Sequence, residues 1–310
     1  LAHEALGTRD SGQNHKTWDM VSEELAATFL VLGVRRRQSL LGGGATPVIV
    51  QALRLTPGKE RSVVEPMERA MEIYTSLGNA HQAAAANYQL ALFFSRVWTC
   101  QRDESKTREK LSAAFRHYGA AQGYFNSTAA MHNGKEPTFV ILSLDLSNLY
   151  SAVSNERECV AKALTCCLDT REAFSPEAVK AAVERHRDKN GHASIPWENG
   201  VDDWFDKMKT LATTIEDRVF KLLLNLVKIE KEESSVKGRQ QQQKLSASSS
   251  SFSEKYKDLY RLALSEKMSR KTKKDEGGVQ DVSSSSSIDS PSFTFPIYSL
   301  LSALWEKNKQ

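Results

Sequence analysis

The sequence predicts an all-α chain of antiparallel helix pairs stacked as an α-solenoid, with disordered Ser/Gln/Lys-rich C-terminal segments. Three observations carry this expectation. Apolar residues recur at three- and four-residue spacing through residues 18–233, and no segment alternates with period two. Glycine, asparagine and proline interrupt that pattern where helices should end. Helices with a similar small-and-aromatic pattern alternate along the chain, as stacked repeats require.

The elements follow in order. Residues 1–17 are a polar lead-in. A first helix runs from about Trp18 to Leu41, with Leu25, Phe29, Leu32 and Arg36 at helical spacing, and Gly42-Gly43-Gly44 stops it because glycine is entropically costly in a helix. The run Val48–Leu55 reads as either a strand or a helical turn. A second helix covers about Arg61–Leu77 and ends at Gly78-Asn79, residues that tolerate positive φ. Helices over about Ala80–Cys100, Glu109–Phe125, Thr138–Val153 and Glu156–Ala173 follow, then one opened by Pro176 and a long one over Val201–Glu233. Residues 234–252 read as a low-complexity linker, 253–268 as a short helix, 269–292 as a disordered basic and Ser-rich segment, and 293–310 as an apolar segment that docks on the body.

Bulk composition narrows the function. The chain has 310 residues, 40% hydrophobic and 26% charged, which fits a folded protein. Its net charge of +4 is too small for a dedicated nucleic-acid-binding face, so no direct nucleic-acid binding is expected. The most apolar run, Phe220–Ile229, is broken by Lys221 and Lys228, so no membrane span is expected. The chain starts at Leu1 without a signal-peptide pattern, and we expect it to be the C-terminal part of a longer product whose N-terminal region is missing.

The repeat signal lies in 18–233. The TPR unit, about 34 residues long, places Leu-small-x-x-aromatic on its first helix and Ala-x-x-x-aromatic on its second. Leu90-Ala91 with Phe94 fits the first pattern, as does Leu146-Ser147 with Tyr150; Leu32-Gly33 fits in part. Ala70 with Tyr74 and Ala114 with Tyr118 fit the second, and Ala163 with Cys167 is a weaker copy. Long loops stretch the interval beyond the usual unit.

Met71–Asn79 running into Ala83–Ala91 resembles the TPR region of the erythroid differentiation-related factor 1 family. The resemblance extends over residues 18–230 and is specific around 67–98. It implies a nuclear protein of transcriptional regulation that uses TPR repeats for protein contacts; the alternative location is the cytoplasm, in an adaptor for trafficking or complex assembly. The resemblance supplies no catalytic residues.

First-type helices line the groove of such an array. The groove-facing offsets fall on Tyr88, Leu92, Ser95 and Arg96, and on Leu144, Asn148 and Ser151. These are the expected partner-binding residues, suited to an apolar or helical protein segment. Only Asn148 fits a Lys/Asn clamp for a terminal carboxylate, so no such clamp is expected. The same faces could instead pack on the missing N-terminal region.

No catalytic, cofactor or metal site is expected. Cys100, Cys159, Cys166 and Cys167 form no Cys-x-x-Cys pair, and the histidines lack zincin spacing. Gly42-Gly43-Gly44 lacks the following Lys-Ser/Thr of a phosphate loop. An α-helical enzyme using Cys167 or His117 is the third reading. Two basic clusters remain, Arg35-Arg36-Arg37 and the Lys267–Lys274 run; the second reads as a solubilising linker, a nuclear localisation signal or a segment that touches phosphates.

Overall fold

The computed structural model describes residues 15–41, 56–100, 104–127, 130, 134–190, 201–241, 255–276 and 295–309, with the side chains of 104–107, 186–190, 201–202, 234–241 and 270–276 excepted. The Gly42–Gly44 stop, the Val48–Leu55 run, most of the polar lead-in and the low-complexity stretches at 242–254 and 277–294 lie outside the described residues. Within them the chain is all-α. The helices are α1 (His15–Leu41), α2 (Pro57–Ser76), α3 (Ala80–Cys100), α4 (Glu104–Phe125), α5 (Glu136–Val153), α6 (Arg157–Leu168), α7 (Pro176–Asn190), α8 (Val201–Gln241), α9 (Lys255–Glu276) and α10 (Pro296–Lys309), with a 3₁₀ segment at Asp169–Phe174. They fall into two compact units, Leu1–Ala130 and Met131–Gln310.

In the first unit each helix packs on the next, and α1 also touches α3. The α2–α3 corner shows how the sequence sets this hairpin. Thr56 accepts a hydrogen bond from the Lys59 amide at the start of α2, and Pro57 occupies the first turn. At the other end Gly78 adopts φ +71°, the Asn79 amide donates to the Tyr74 carbonyl, and the Gly78 amide donates to Thr75. These two bonds make a Schellman cap. Asn79 then caps α3 by accepting from the Gln82 amide at 3.2 Å, while its own amide group donates to Glu23 of α1 at 2.9 Å. One asparagine thereby ends one helix, starts the next and ties both to a third.

The core of this unit grows from small residues. Ala26, Ala70 and Tyr74 are buried together, with Phe29, Leu30, Ile73 and Ala83 packed around them. Gly33 lets α1 approach α2 so closely that a Cβ there would lie 2.5 Å from Met67 Cγ. Helices α3 and α4 run antiparallel: His81 meets Tyr124 and Phe125, Tyr88 meets Tyr118, and Phe94 stacks on His117.

In the second unit α5 is buried along most of its length, from Phe139 to Leu149. Helix α6 ends at Leu168, earlier than the expected Ala173, and the chain tightens into 3₁₀ geometry. The Thr170 hydroxyl donates to the Cys167 carbonyl at 2.7 Å, competing with the helical bond there, and Ser175 caps α7 by accepting from the Ala178 amide. Helix α8 packs on α6, α5 and α9. Its backbone continues eight residues beyond the expected end at Glu233, and α9 continues to Glu276 beyond the expected Met268. Elongating an established helix costs little in stretches rich in Lys, Arg, Gln and Glu.

The terminal segment forms α10 and is anchored at both ends. Phe295 packs on Phe174, Trp204 and Phe205. Trp305 has the Arg171 guanidinium 3.5 Å from its ring centroid and the Lys309 ammonium 3.4 Å away, and its indole N–H donates to Asp169 at 3.4 Å. Two ion pairs on buried carboxylates complete the unit: partly exposed Arg185 of α7 reaches the fully buried Glu136 at 2.9 Å, and partly exposed Arg157 of α6 reaches Glu230 of α8 at 3.6 Å.

Gly33→Ala tests the α1–α2 approach. Met67 and the Val63 carbonyl must both shift to admit the methyl group. Overpacking of this kind costs about 1–3 kcal/mol, measurable as a lower urea midpoint with unchanged m-value.

Candidate functional site

The site begins with the packing of α5 on α8. Arg218 sits in the stripe Ile215, Arg218, Val219, Leu222, the i, i+3, i+4, i+7 positions of a core-facing face. Its Nε donates to Ser147 Oγ at 3.2 Å, and its Nη2 donates to the Ser147 carbonyl at 2.9 Å and to Ser151 Oγ at 2.7 Å. Cys167 Sγ donates to the same Ser147 hydroxyl at 3.4 Å. Further along, the Asn225 side chain donates to Asn155. Because Ser147 faces Arg218 and Asn155 faces Asn225, the two helices advance in the same direction.

On the N-terminal side of this staple a cleft of about 740 Å³ opens between the helices. Ile141, Leu144, Asp145 and Asn148 form the α5 wall, again at i, i+3, i+4, i+7 spacing. The α8 wall includes Thr210, Leu211, Thr214, Arg218 and Lys221, with Asp217 beside them. Leu144 is buried and Ile141 and Leu211 are half-buried, so the floor is apolar; Asn148, Thr210, Thr214, Asp217 and Lys221 are exposed at the rim.

Burial pulls the Arg218 guanidinium below its ordinary pKa, and the nearby Cys167 thiol partly offsets this. An arginine stays charged regardless. Burial also pushes the Cys167 thiol up to about 11, against its hydrogen bond to Ser147, and the Cys166 thiol up to about 12. Both are protonated at neutral pH and buried, which makes them poor nucleophiles and metal ligands. Among the described residues no group of three His, Cys, Asp or Glu side chains is placed to hold a metal ion.

The residues expected to bind partners divide between the units. Leu144 and Asn148 line the cleft, and Ser151 is spent holding Arg218. In the first unit Tyr88 and Leu92 are half-buried, the Ser95 hydroxyl donates to the Leu92 carbonyl, and Arg96 is exposed. Arg37 of α1 lies within electrostatic range of Tyr88, Tyr118 and Arg96, and burial lowers its pKa. Sequence reasoning missed Arg218 and Lys221 as residues lining the cleft. Arg218 left one trace, a charged residue in an otherwise apolar stripe.

His117 is the other buried polar group of note. It is 5% exposed on α4, stacked on Phe94. The Asn87 amide nitrogen donates to the Ala83 carbonyl, which turns Asn87 Oδ1 toward His117 Nδ1 at 2.9 Å. The imidazole must donate there, so the neutral Nδ1–H tautomer is the one present. Burial, aided by the Arg116 charge, pushes its pKa down to about 4.

Of the expected basic signal, Lys267 is engaged: its ammonium lies 3.5 Å from Glu216 and 4.7 Å from the Phe220 ring centroid. No helix among the described residues is long and apolar enough to cross a membrane. In comparisons with protein families, curated protein sequences and solved structures, no match to this chain was found.

The His117 environment predicts a pH dependence. Its folded-state pKa lies below the unfolded value of 6.5, so the unfolded chain takes up a proton that the folded chain refuses. Stability from this group is complete above 6.5 and is lost as pH falls toward 4, by up to about 3 kcal/mol. Denaturant unfolding across that window should show a shallower slope for His117→Gln than for the parent chain; equal slopes would contradict the assignment.

Proposed function

We propose that this chain is a non-catalytic scaffold that binds other proteins in grooves between stacked helix pairs of TPR-like arrangement. The parallel pairing of α5 and α8, with a cleft walled by both, is the observation that carries the reading. In a stack of such pairs, the first helices of neighbouring repeats run parallel and the second helix packs on both. Helix α6 contacts α5 and α8, and α2 contacts α1 and α3, in keeping with that pattern. Helix α7 is then an insertion between repeats. The protonated thiols of Cys166 and Cys167 and the depressed basicity of His117 support a role without catalysis.

The cellular setting rests on the resemblance of Met71–Asn79 and Ala83–Ala91 to the erythroid differentiation-related factor 1 family, and gives a nuclear role in transcriptional regulation. One observation favours a cytosolic adaptor instead: Lys267 is held by Glu216 and Phe220, and the rest of the basic run continues the α9 backbone. An engaged Lys267 is less accessible to a receptor.

Affinity purification of the tagged chain from nuclear and cytosolic extracts tests the scaffold reading. Asn148→Trp fills the cleft from an exposed position, and Leu92→Glu alters the groove-facing side of α3. Co-purifying transcription-associated proteins should drop by about tenfold or more with Asn148→Trp, as for a contact worth at least 1.4 kcal/mol. Unchanged recovery with both variants would remove the groove from the function.

A further inference from the structure

Among the described residues Arg218 has no ion-pair partner. Its three hydrogen bonds all go to neutral oxygens, two hydroxyls and a carbonyl. Among the described residues no carboxylate lies within ion-pairing distance of it, and its Nη1 group has no hydrogen-bond partner there. A guanidinium has five donors in a fork that matches a carboxylate. Arg218 spends Nε and Nη2 on the staple and also lines the cleft, with Lys221 one turn further on. A half-buried cation with neutral partners remains under-compensated, and an incoming anion relieves that cost.

The rest of the lining limits what that anion can be. The floor is aliphatic, built from Ile141, Leu144 and Leu211. The wall extends from Ile141 to Asn148 on α5 and from Thr210 to Lys221 on α8, about 10 and 16 Å at helical rise, two to three turns of a docked helix. Asp145 and Asp217 also line the cleft. Both disfavour a polyphosphate backbone, and the exposed Asp217 can accept a basic residue flanking a single acid.

Building on the groove reading above, we propose that the α5–α8 cleft binds an amphipathic helical segment of a partner protein, with an Asp or Glu carboxylate on Arg218 and Lys221 and aliphatic side chains on Ile141, Leu144 and Leu211. The mode is helix-in-groove recognition with one charge-assisted anchor. The acid is an internal side chain, not a chain terminus.

The test pans a display library of random helical peptides on the full chain, then measures selected peptides by fluorescence anisotropy. Enriched peptides should carry Asp or Glu between aliphatic residues. Changing that acid to its amide, or introducing Arg218→Gln or Lys221→Glu, should weaken binding by about tenfold or more, with non-additive effects when peptide and protein changes are combined. Lys221 is exposed and tests the charge even if Arg218→Gln loosens the fold, which thermal unfolding would reveal. Peptides that lose binding in Asn148→Trp but ignore both charge variants would overturn the acidic anchor and leave the groove standing. If no enriched peptide depends on Asn148, the groove reading itself fails. Tighter binding of a single-stranded oligonucleotide, abolished by Lys221→Glu, would overturn the peptide class.

Discussion

The contact between α5 and α8 is stapled by one guanidinium. Seventy-one residues separate Arg218 from Ser147, and three hydrogen bonds bring their helices together. An aliphatic residue at that position would extend the apolar stripe of α8, but it would leave the Ser147 and Ser151 hydroxyls without this donor. Because the staple uses neutral acceptors, it fixes the helices without neutralising the charge. The same side chain therefore joins the core on one side and lines the cleft on the other. Structure and proposed recognition share a residue, and this is why the two variants that probe recognition differ in burial.

The ends of the second unit are held by related means. Glu136 at the start of α5 is buried and relies on Arg185, Glu230 is buried and relies on Arg157, and Trp305 is gripped between Arg171 and Lys309. Removing one member of a buried pair strands the other and is costly, whereas exposed pairs such as Arg69–Glu65 contribute little. Polar contacts thus tie α7 to α5, α6 to α8 and α10 to the 3₁₀ segment. The first unit relies instead on close approach of small residues, as Gly33, Ala26 and Ala70 show.

Much of the helical pattern was legible because its causes are local. The Gly78-Asn79 corner, the Pro176 start and the apolar spacing of α8 each follow from backbone sterics or periodicity within a few residues. The 3₁₀ turn after Leu168 escaped notice because apolar periodicity does not mark it; the Thr170 hydroxyl bonds back to the Cys167 carbonyl there. The later ends of α8 and α9 escaped because low-complexity composition argues against burial, not against helix. Leu144 and Asn148, expected as groove-facing from their offsets on one helix, line the cleft. Their partners on α8 were not expected, since nothing in a linear pattern pairs residue 148 with residue 218. Arg218 stood out only as a charge in an apolar stripe, and its meaning emerges when Ser147 and Ser151 face it.

The most direct measurement is the Nε–H resonance of Arg218 in a nitrogen-15-labelled full chain, assigned by its loss in Arg218→Lys. The account predicts a slowly exchanging signal, distinct from those of exposed arginines such as Arg69 and Arg261, that moves when an acidic helical peptide is added. A signal averaged with the exposed arginines, indifferent to the peptide, would place Arg218 in free solvent and contradict both the staple and the cleft it lines.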